Sequence, residues 1–138
     1  MELRSPCGGA IGQLTYYYNG DIYTCDEARM LSEMGDDSFK LGNVKEDNYL
    51  SLMNSDTTKA MCISSCLECS SVCRDCVYMP YCGNCPVINL AQNNNIFMKS
   101  KNEYRCKVYG GILDRIFEYI NNNDEKVMEI FERWSEEN

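Results

Sequence analysis

Apolar and polar residues first alternate regularly in "IGQLTYYYNGDIYTC", residues 11–25, where Leu14, Tyr16 and Tyr18 recur at every second position before Asn19-Gly20 interrupts the pattern and "DIYTC" resumes it. Period two on either side of Asn-Gly predicts a β-hairpin with a two-residue type I′ turn, Gly20 supplying the positive φ. Cys25 ends the second strand, so the turn fixes its place relative to the segment that begins at Cys7. "DEARMLSEMGDDSFKLGNV" reads as a short helix followed by a loop, and "KEDNYLSLMNSDTTKAM" as a helix capped by Asp47 or Asn48 that turns Tyr49, Leu52 and Met53 inward. Two segments of helical period close the chain. Ile112, Leu113, Ile116, Phe117 and Ile120 mark the first and Val127, Ile130, Phe131 and Trp134 the second, with "NNND" between them and Asp124 as N-cap.

Neither period holds between Cys62 and Cys106. Pro80, Pro86 and the polar "AQNNN" predict loops there, whose order must come largely from metal ligation rather than from an apolar core. The expected fold is therefore α+β, small and loop-rich, with an N-terminal β-hairpin, cysteine-rich metal-binding loops, and flanking and C-terminal α-helices. One domain is expected over residues 1–138, with residues 7–108 cysteine-rich and residues 111–136 forming the closing helices.

Composition narrows the chemistry. Ten of the 138 residues are cysteine and none is histidine. This excludes zinc sites that need imidazole, His-based catalysis and the two-His type of iron–sulfur centre. A formal charge of -8 without any basic run argues against a nucleic-acid partner. No apolar run approaches the ~20 residues of a membrane span, and the first residues lack the apolar core of a signal peptide, so a cytoplasmic protein is expected. In that reducing compartment, cysteines at short spacing serve as metal ligands more often than as disulfides.

The densest cluster is "CRDCVYMPYCGNCP", residues 73–86. Cys73 and Cys76 are separated by two residues, Cys82 follows after five more, Cys85 after another two, and Cys106 stands apart; upstream, Cys7 is followed by twelve residues, Gly20, four residues and Cys25. This order resembles the SPASM domain, the auxiliary-cluster domain of radical SAM peptide maturases. "LGNV" and "CGNCP" match accessory features of that family, and the hairpin sequence together with "CVYMPYCGNCP" is most similar to the maturases of His-Xaa-Ser peptide systems. One departure stands out: two residues separate Cys82 from Cys85, where the family commonly has three.

The resemblance implies two 4Fe-4S clusters, with Cys7, Cys25 and Cys85 serving the first and Cys73, Cys76, Cys82 and Cys106 the second. A short loop ending in Cys-Pro likewise sends its last sulfur to the other cluster in two-cluster ferredoxins. It also implies a domain that is not catalytic alone. It would relay electrons and help engage a precursor peptide beside a radical SAM catalytic domain, S-adenosylmethionine binding only in that separate barrel. Zinc is the rival for the same thiolates, either as a substitute metal or as the core of a non-redox protein- or peptide-interaction domain. Arg74, between two ligands, is a candidate to offset cluster charge, against the plainer reading of an exposed arginine.

"CISSCLEC", residues 62–69, has the C-x3-C-x2-C spacing of the S-adenosylmethionine-cleaving motif, but Glu68 stands where that family places an aromatic residue. Only 69 residues follow Cys69, whereas a β/α barrel needs on the order of 200. Three uses remain for the trio: a further ligand of the first cluster, a docking or redox thiol, or a plain buried cysteine. Cys66 is read as the further ligand, a ligand from the catalytic domain being the equal alternative, and Cys62 and Cys69 are read as structural thiols.

Overall fold

The computed structural model describes residues 7–98, 100–101 and 103–136. Its architecture is α+β, a small antiparallel sheet with six helices. The sheet comprises β1 (Thr15–Tyr16), β2 (Asp21–Tyr23) and β3 (Lys40–Asn43), in the order β1-β2-β3. The helices are α1 (Asp26–Glu33), α2 (Tyr49–Met53), α3 (Asp56–Ser65), α4 (Pro86–Asn93), α5 (Tyr104–Asn122) and α6 (Glu125–Glu136).

The N-terminal hairpin is present, but its turn is one residue longer than the Asn-Gly signal suggested. Thr15 pairs with Tyr23 and Tyr16 with Ile22, and Tyr17 N–H donates to Asp21 at 2.8 Å, leaving Tyr18, Asn19 and Gly20 as a three-residue loop. Only Gly20 takes positive φ, at 92°, where a type I′ turn would need it at two residues. Asn19 instead accepts the Asp21 N–H on its side chain at 3.0 Å, a local bond that draws Asp21 into the loop's base. Tyr16 and Tyr18 face solvent, whereas Tyr17 packs on the core.

β2 is the central strand and is fully buried. Its pairing with β3 slips between Ile22 and Tyr23, because Leu41 is the extra residue between the partners Gly42 and Lys40. Asp21 ties the sheet's edges together, accepting from Lys40 Nζ at 2.8 Å, Asn43 Nδ2 at 2.9 Å and Asn19 Nδ2 at 2.8 Å. The core gathers Tyr23 and Cys25 from the sheet's end, Ala28 and Leu31 from α1, Phe39, Met61 from α3 and Val87 from α4. Burying Leu31, Phe39, Met61 and Val87 stabilises by roughly 1.5–3 kcal/mol each.

Several local expectations change. Asn48 caps α2, its Oδ1 accepting from Ser51 N–H at 3.0 Å, but five residues give the helix one inward position, so Leu52 is buried and Tyr49 is 63% exposed. α3 starts afresh at the Ser55 cap and carries Cys62 inside it. The stretch after Cys85 is helix, not loop: Pro86 fits the first helical position, where no N–H is required, and Asn94 ends α4 with φ of 51°. α5 begins at Tyr104, so Cys106 rides on the first turn of the C-terminal helices. Asp124 caps α6 as expected, accepting from Lys126 N–H at 3.0 Å. No residue of α5 or α6 is buried; Phe117 holds α5 to the cysteine loop through ring contacts with Tyr78 and Tyr81 at 6.1 and 5.1 Å. Among the described residues, no helix is long and apolar enough to cross a membrane.

Candidate metal centres

The cysteine loop is a chain of overlapping turns. N–H to C=O bonds link Cys73 to Ser70 at 3.1 Å, Cys76 to Cys73 at 2.9 Å, Met79 to Cys76 at 3.0 Å and Cys82 to Met79 at 3.4 Å. Turns of three residues stack every third side chain on one side, and Cys73, Cys76, Met79 and Cys82 all face the same cavity. Cys106 faces it from α5, so the cavity, of about 40 Å³, has four thiols in its wall. That is about three times the space one water needs. Met98 supplies a further sulfur, 3.9 Å from Cys73 Sγ.

These four thiols act on one another. Burial pushes the Cys82 thiol up, and Cys73, Cys106 and Cys76 push it further; burial does the same at Cys106, with Cys76 and Cys73 adding and Lys101 opposing. Lys101 and Arg105 line the same cavity. Arg74 does not: it is exposed and pairs with Asp75 at 3.4 Å.

The turn chain ends at Cys82, whose φ of -103° and ψ of 156° are extended, as are those of Cys85. Cys85 leaves the cavity and packs on the buried cluster that contains Cys25, as does Cys7. Asn84 holds this exit: its Nδ2 donates to Ser64 C=O at 2.8 Å, and its Oδ1 accepts from Asn89 Nδ2 at 2.8 Å. Both amides are buried. Shortening the gap between Cys82 and Cys85 to two residues therefore does not bring Cys85 into the four-thiol cavity.

Around Cys7, Cys25 and Cys85 the backbone turns toward sulfur. Gly9 N–H donates to Cys7 Sγ at 3.4 Å, and a side chain at Gly9 would collide with the buried Met61. Cys25 and Cys85 occupy the N-cap positions of α1 and α4. Burial pushes Cys25 up to about 11, opposed by the Ala28 N–H and reinforced by the Glu27 carboxylate. Burial likewise raises Cys85, opposed by the Ile88 N–H and by Arg105. Glu27 acts on both sulfurs, a carboxylate neighbour that the cysteine spacing alone did not single out.

Cys66 lies elsewhere in the fold's bonding. It ends α3, donates to Glu68 Oε2 at 3.2 Å and accepts Cys69 N–H on its carbonyl at 3.2 Å. Cys62 is half-buried on α3 and Cys69 is exposed. All ten cysteines are free thiols.

Among the described residues, no three cysteine or carboxylate side chains close to the spacing of a single bound metal ion. Four thiolates on one zinc would sit roughly 3.8 Å apart, from Zn–S bonds of about 2.3 Å. Cys73, Cys76, Cys82 and Cys106 instead surround a cavity, which fits, in donor type and number, a larger thiolate-bound group such as a four-iron cluster. The other group supplies three sulfurs and two helix N-termini. The useful signal missed in the sequence is a period of three, Cys73, Cys76, Met79 and Cys82, which predicts their common side. Neither a protein-family model, nor a curated protein, nor a solved structure matches this chain.

Proposed function

We propose that this chain is the auxiliary iron–sulfur domain of a radical SAM peptide maturase, holding two 4Fe-4S clusters that relay electrons while the domain helps engage a precursor peptide. The observation that supports this reading is the partition of the cysteines: Cys73, Cys76, Cys82 and Cys106 share one cavity, while Cys85 leaves it for the cluster of Cys7 and Cys25. A run of ten free thiols suits a reducing compartment such as the cytoplasm.

Bound iron–sulfur clusters supply one-electron chemistry whose potential follows net charge, burial and hydrogen bonds to sulfur. The chain's own residues provide those controls. Lys101 and Arg105 add positive charge at the four-thiol cavity, and Gly9 N–H together with the first turns of α1 and α4 faces the sulfurs of the other group. Leu67, Met79 and Met98 supply apolar surface to the cavity wall. Glu27, whose carboxylate acts on both Cys25 and Cys85, is the candidate for the fourth position of the Cys7, Cys25 and Cys85 centre, since Cys66 faces Glu68 instead. The domain carries out no cleavage of S-adenosylmethionine, since the reacting barrel belongs to the partner catalytic domain.

Anaerobic reconstitution tests this reading through iron and acid-labile sulfide. The expected content is close to eight of each per chain, with a visible absorbance that dithionite bleaches, as two cubane clusters require. About half that content would leave one centre only. Colourless protein carrying stoichiometric zinc after anaerobic expression would replace the redox reading with a zinc-stabilised interaction domain.

A further inference from the structure

Cys66 and Cys69 are absent from both sulfur groups described above, and their geometry has a use of its own. α3 ends at Cys66, whose N–H reaches back to Cys62 and Ile63, and a single tight turn follows over Leu67–Cys69. Cys69 N–H donates to Cys66 C=O at 3.2 Å, closing an i to i+3 turn. Such a turn keeps its end Cα atoms within about 7 Å. A disulfide spans Cα separations of about 4.4–6.8 Å, so the backbone already holds the two residues at bridging distance.

The side chains agree with the backbone. Cys66 Sγ donates to Glu68 Oε2 at 3.2 Å, inside the same turn that brings Cys69 N–H onto Cys66 C=O. Leu67, between them, is 1% exposed and pins the turn against the wall of the four-thiol cavity, while Cys69 is exposed to a reactant. Cys62, one helical turn before Cys66, sits on a helix whose i to i+4 spacing does not favour a bridge.

We propose that Cys66 and Cys69 form a dithiol–disulfide couple at the protein surface, which exchanges two electrons with a low-molecular-weight alkyl disulfide. The exposed Cys69 sulfur attacks one sulfur of the disulfide, forming a mixed disulfide and expelling the first alkyl thiolate. Cys66 then gives its proton to the Glu68 carboxylate and attacks the Cys69 sulfur, forming the Cys66–Cys69 bond and expelling the second thiolate. The two protons lost by the cysteines end on the two alkyl thiols. The pair is oxidised by two electrons and the co-reactant disulfide is reduced by two. This couple stands apart from the proposed clusters and does not require them.

The test treats the anaerobically reconstituted chain with oxidised glutathione, caps remaining thiols with an alkylating reagent, and maps the peptides by mass spectrometry. The expected product is a peptide containing both residues that is two hydrogens lighter and uncapped at Cys66 and Cys69, with iron content unchanged. Cys69→Ser should abolish it, and Cys62→Ser should leave it intact. Recovery of both cysteines fully capped, or a bridge from Cys66 to any other cysteine, overturns the proposal. Loss of iron in Cys66→Ser overturns it as well, because Cys66 would then be a cluster ligand; that outcome leaves the iron–sulfur reading standing.

Discussion

Cys82 and Cys85, with two residues between them in the chain, have different surroundings: Cys82 faces the cavity of Cys73, Cys76 and Cys106, and Cys85, at the N-cap position of α4, packs on the buried core that contains Cys25. The separation depends on Asn84 between them, whose buried side chain is bonded to Ser64 C=O and to Asn89. Removing that amide leaves a buried carbonyl and a buried N–H short of a partner, which costs about 1–3 kcal/mol. Asn84→Ala should therefore lower the denaturation free energy by about that amount. Equilibrium urea unfolding of the metal-free chain checks it, and an unchanged midpoint would mean that the Asn84 bonds do not hold the exit of Cys85.

Two glycines predict opposite responses to the same change. A side chain at Gly42 would meet the Asp47 carboxylate and would lie 2.8 Å from Cδ2 of the buried Leu52. Asp47 in turn accepts Asn43 N–H at 2.9 Å, so displacing it also releases the end of β3. Gly42→Ala should destabilise by about 1–3 kcal/mol, the ordinary cost of overpacking. Gly110 lies inside α5 with open space around it, and Gly110→Ala should stabilise by roughly 0.5–1 kcal/mol. Thermal and urea midpoints of the two variants should move in opposite directions.

The hairpin strands and the C-terminal helices were legible because period and capping residues speak locally, and Asn48 and Asp124 both cap where the sequence suggested; β3 was not, since "KLGN" has no two-residue period and read as loop, and it becomes a strand only by pairing with β2. The hairpin loop was misjudged by one residue, since Asn-Gly scores as a two-residue turn unless the Asn19 side chain's bond to Asp21 N–H is foreseen. α4 was hidden by its composition, Pro86 and the asparagines reading as loop although one starts and the other ends a helix. The cysteine order was fully visible, but the charges around it were not. Arg74 is adjacent to ligand positions in sequence and points to solvent, whereas Arg105 reaches the cavity because α5 begins just before it.

Arg105 lines the cavity of Cys73, Cys76, Cys82 and Cys106, and its charge is also felt at Cys85. Its guanidinium is held in place over the Tyr109 ring, 5.2 Å from the ring centroid, with Nη2 donating to the Tyr109 hydroxyl at 3.3 Å. A positive charge near a cluster favours its more negative, reduced state. Arg105→Gln should retain iron and shift the reduction potential of the four-thiol centre to more negative values, and Arg105→Lys should restore most of the shift. Redox titration followed by electron paramagnetic resonance reads both.

The sheet carries a pH-dependent tie. Hydrogen bonds from Lys40, then Asn43 and Asn19, hold the Asp21 carboxyl below its ordinary range. A carboxyl whose folded-state value is lowered stabilises the fold fully above its unfolded value, about 3.9, and loses that contribution as pH falls through the folded value. The metal-free chain should thus lose stability from this tie as the pH drops below about 4. Asp21→Asn should start from a lower midpoint at pH 7 and lose less on acidification, which urea midpoints at successive pH values determine.

The separation of Cys82 from Cys85 carries the whole account, and spectroscopy of single serine variants addresses it most directly. Serine keeps the size of cysteine but offers iron a harder, weaker ligand. In anaerobically reconstituted protein, Cys82→Ser should perturb the same electron paramagnetic resonance signal as Cys73→Ser, Cys76→Ser and Cys106→Ser. Cys85→Ser should spare that signal and perturb the one shared with Cys7→Ser and Cys25→Ser. If Cys85→Ser instead alters the signal of Cys82 and its loop neighbours, the four cysteines of residues 73–85 hold a single centre and the two-centre account is wrong.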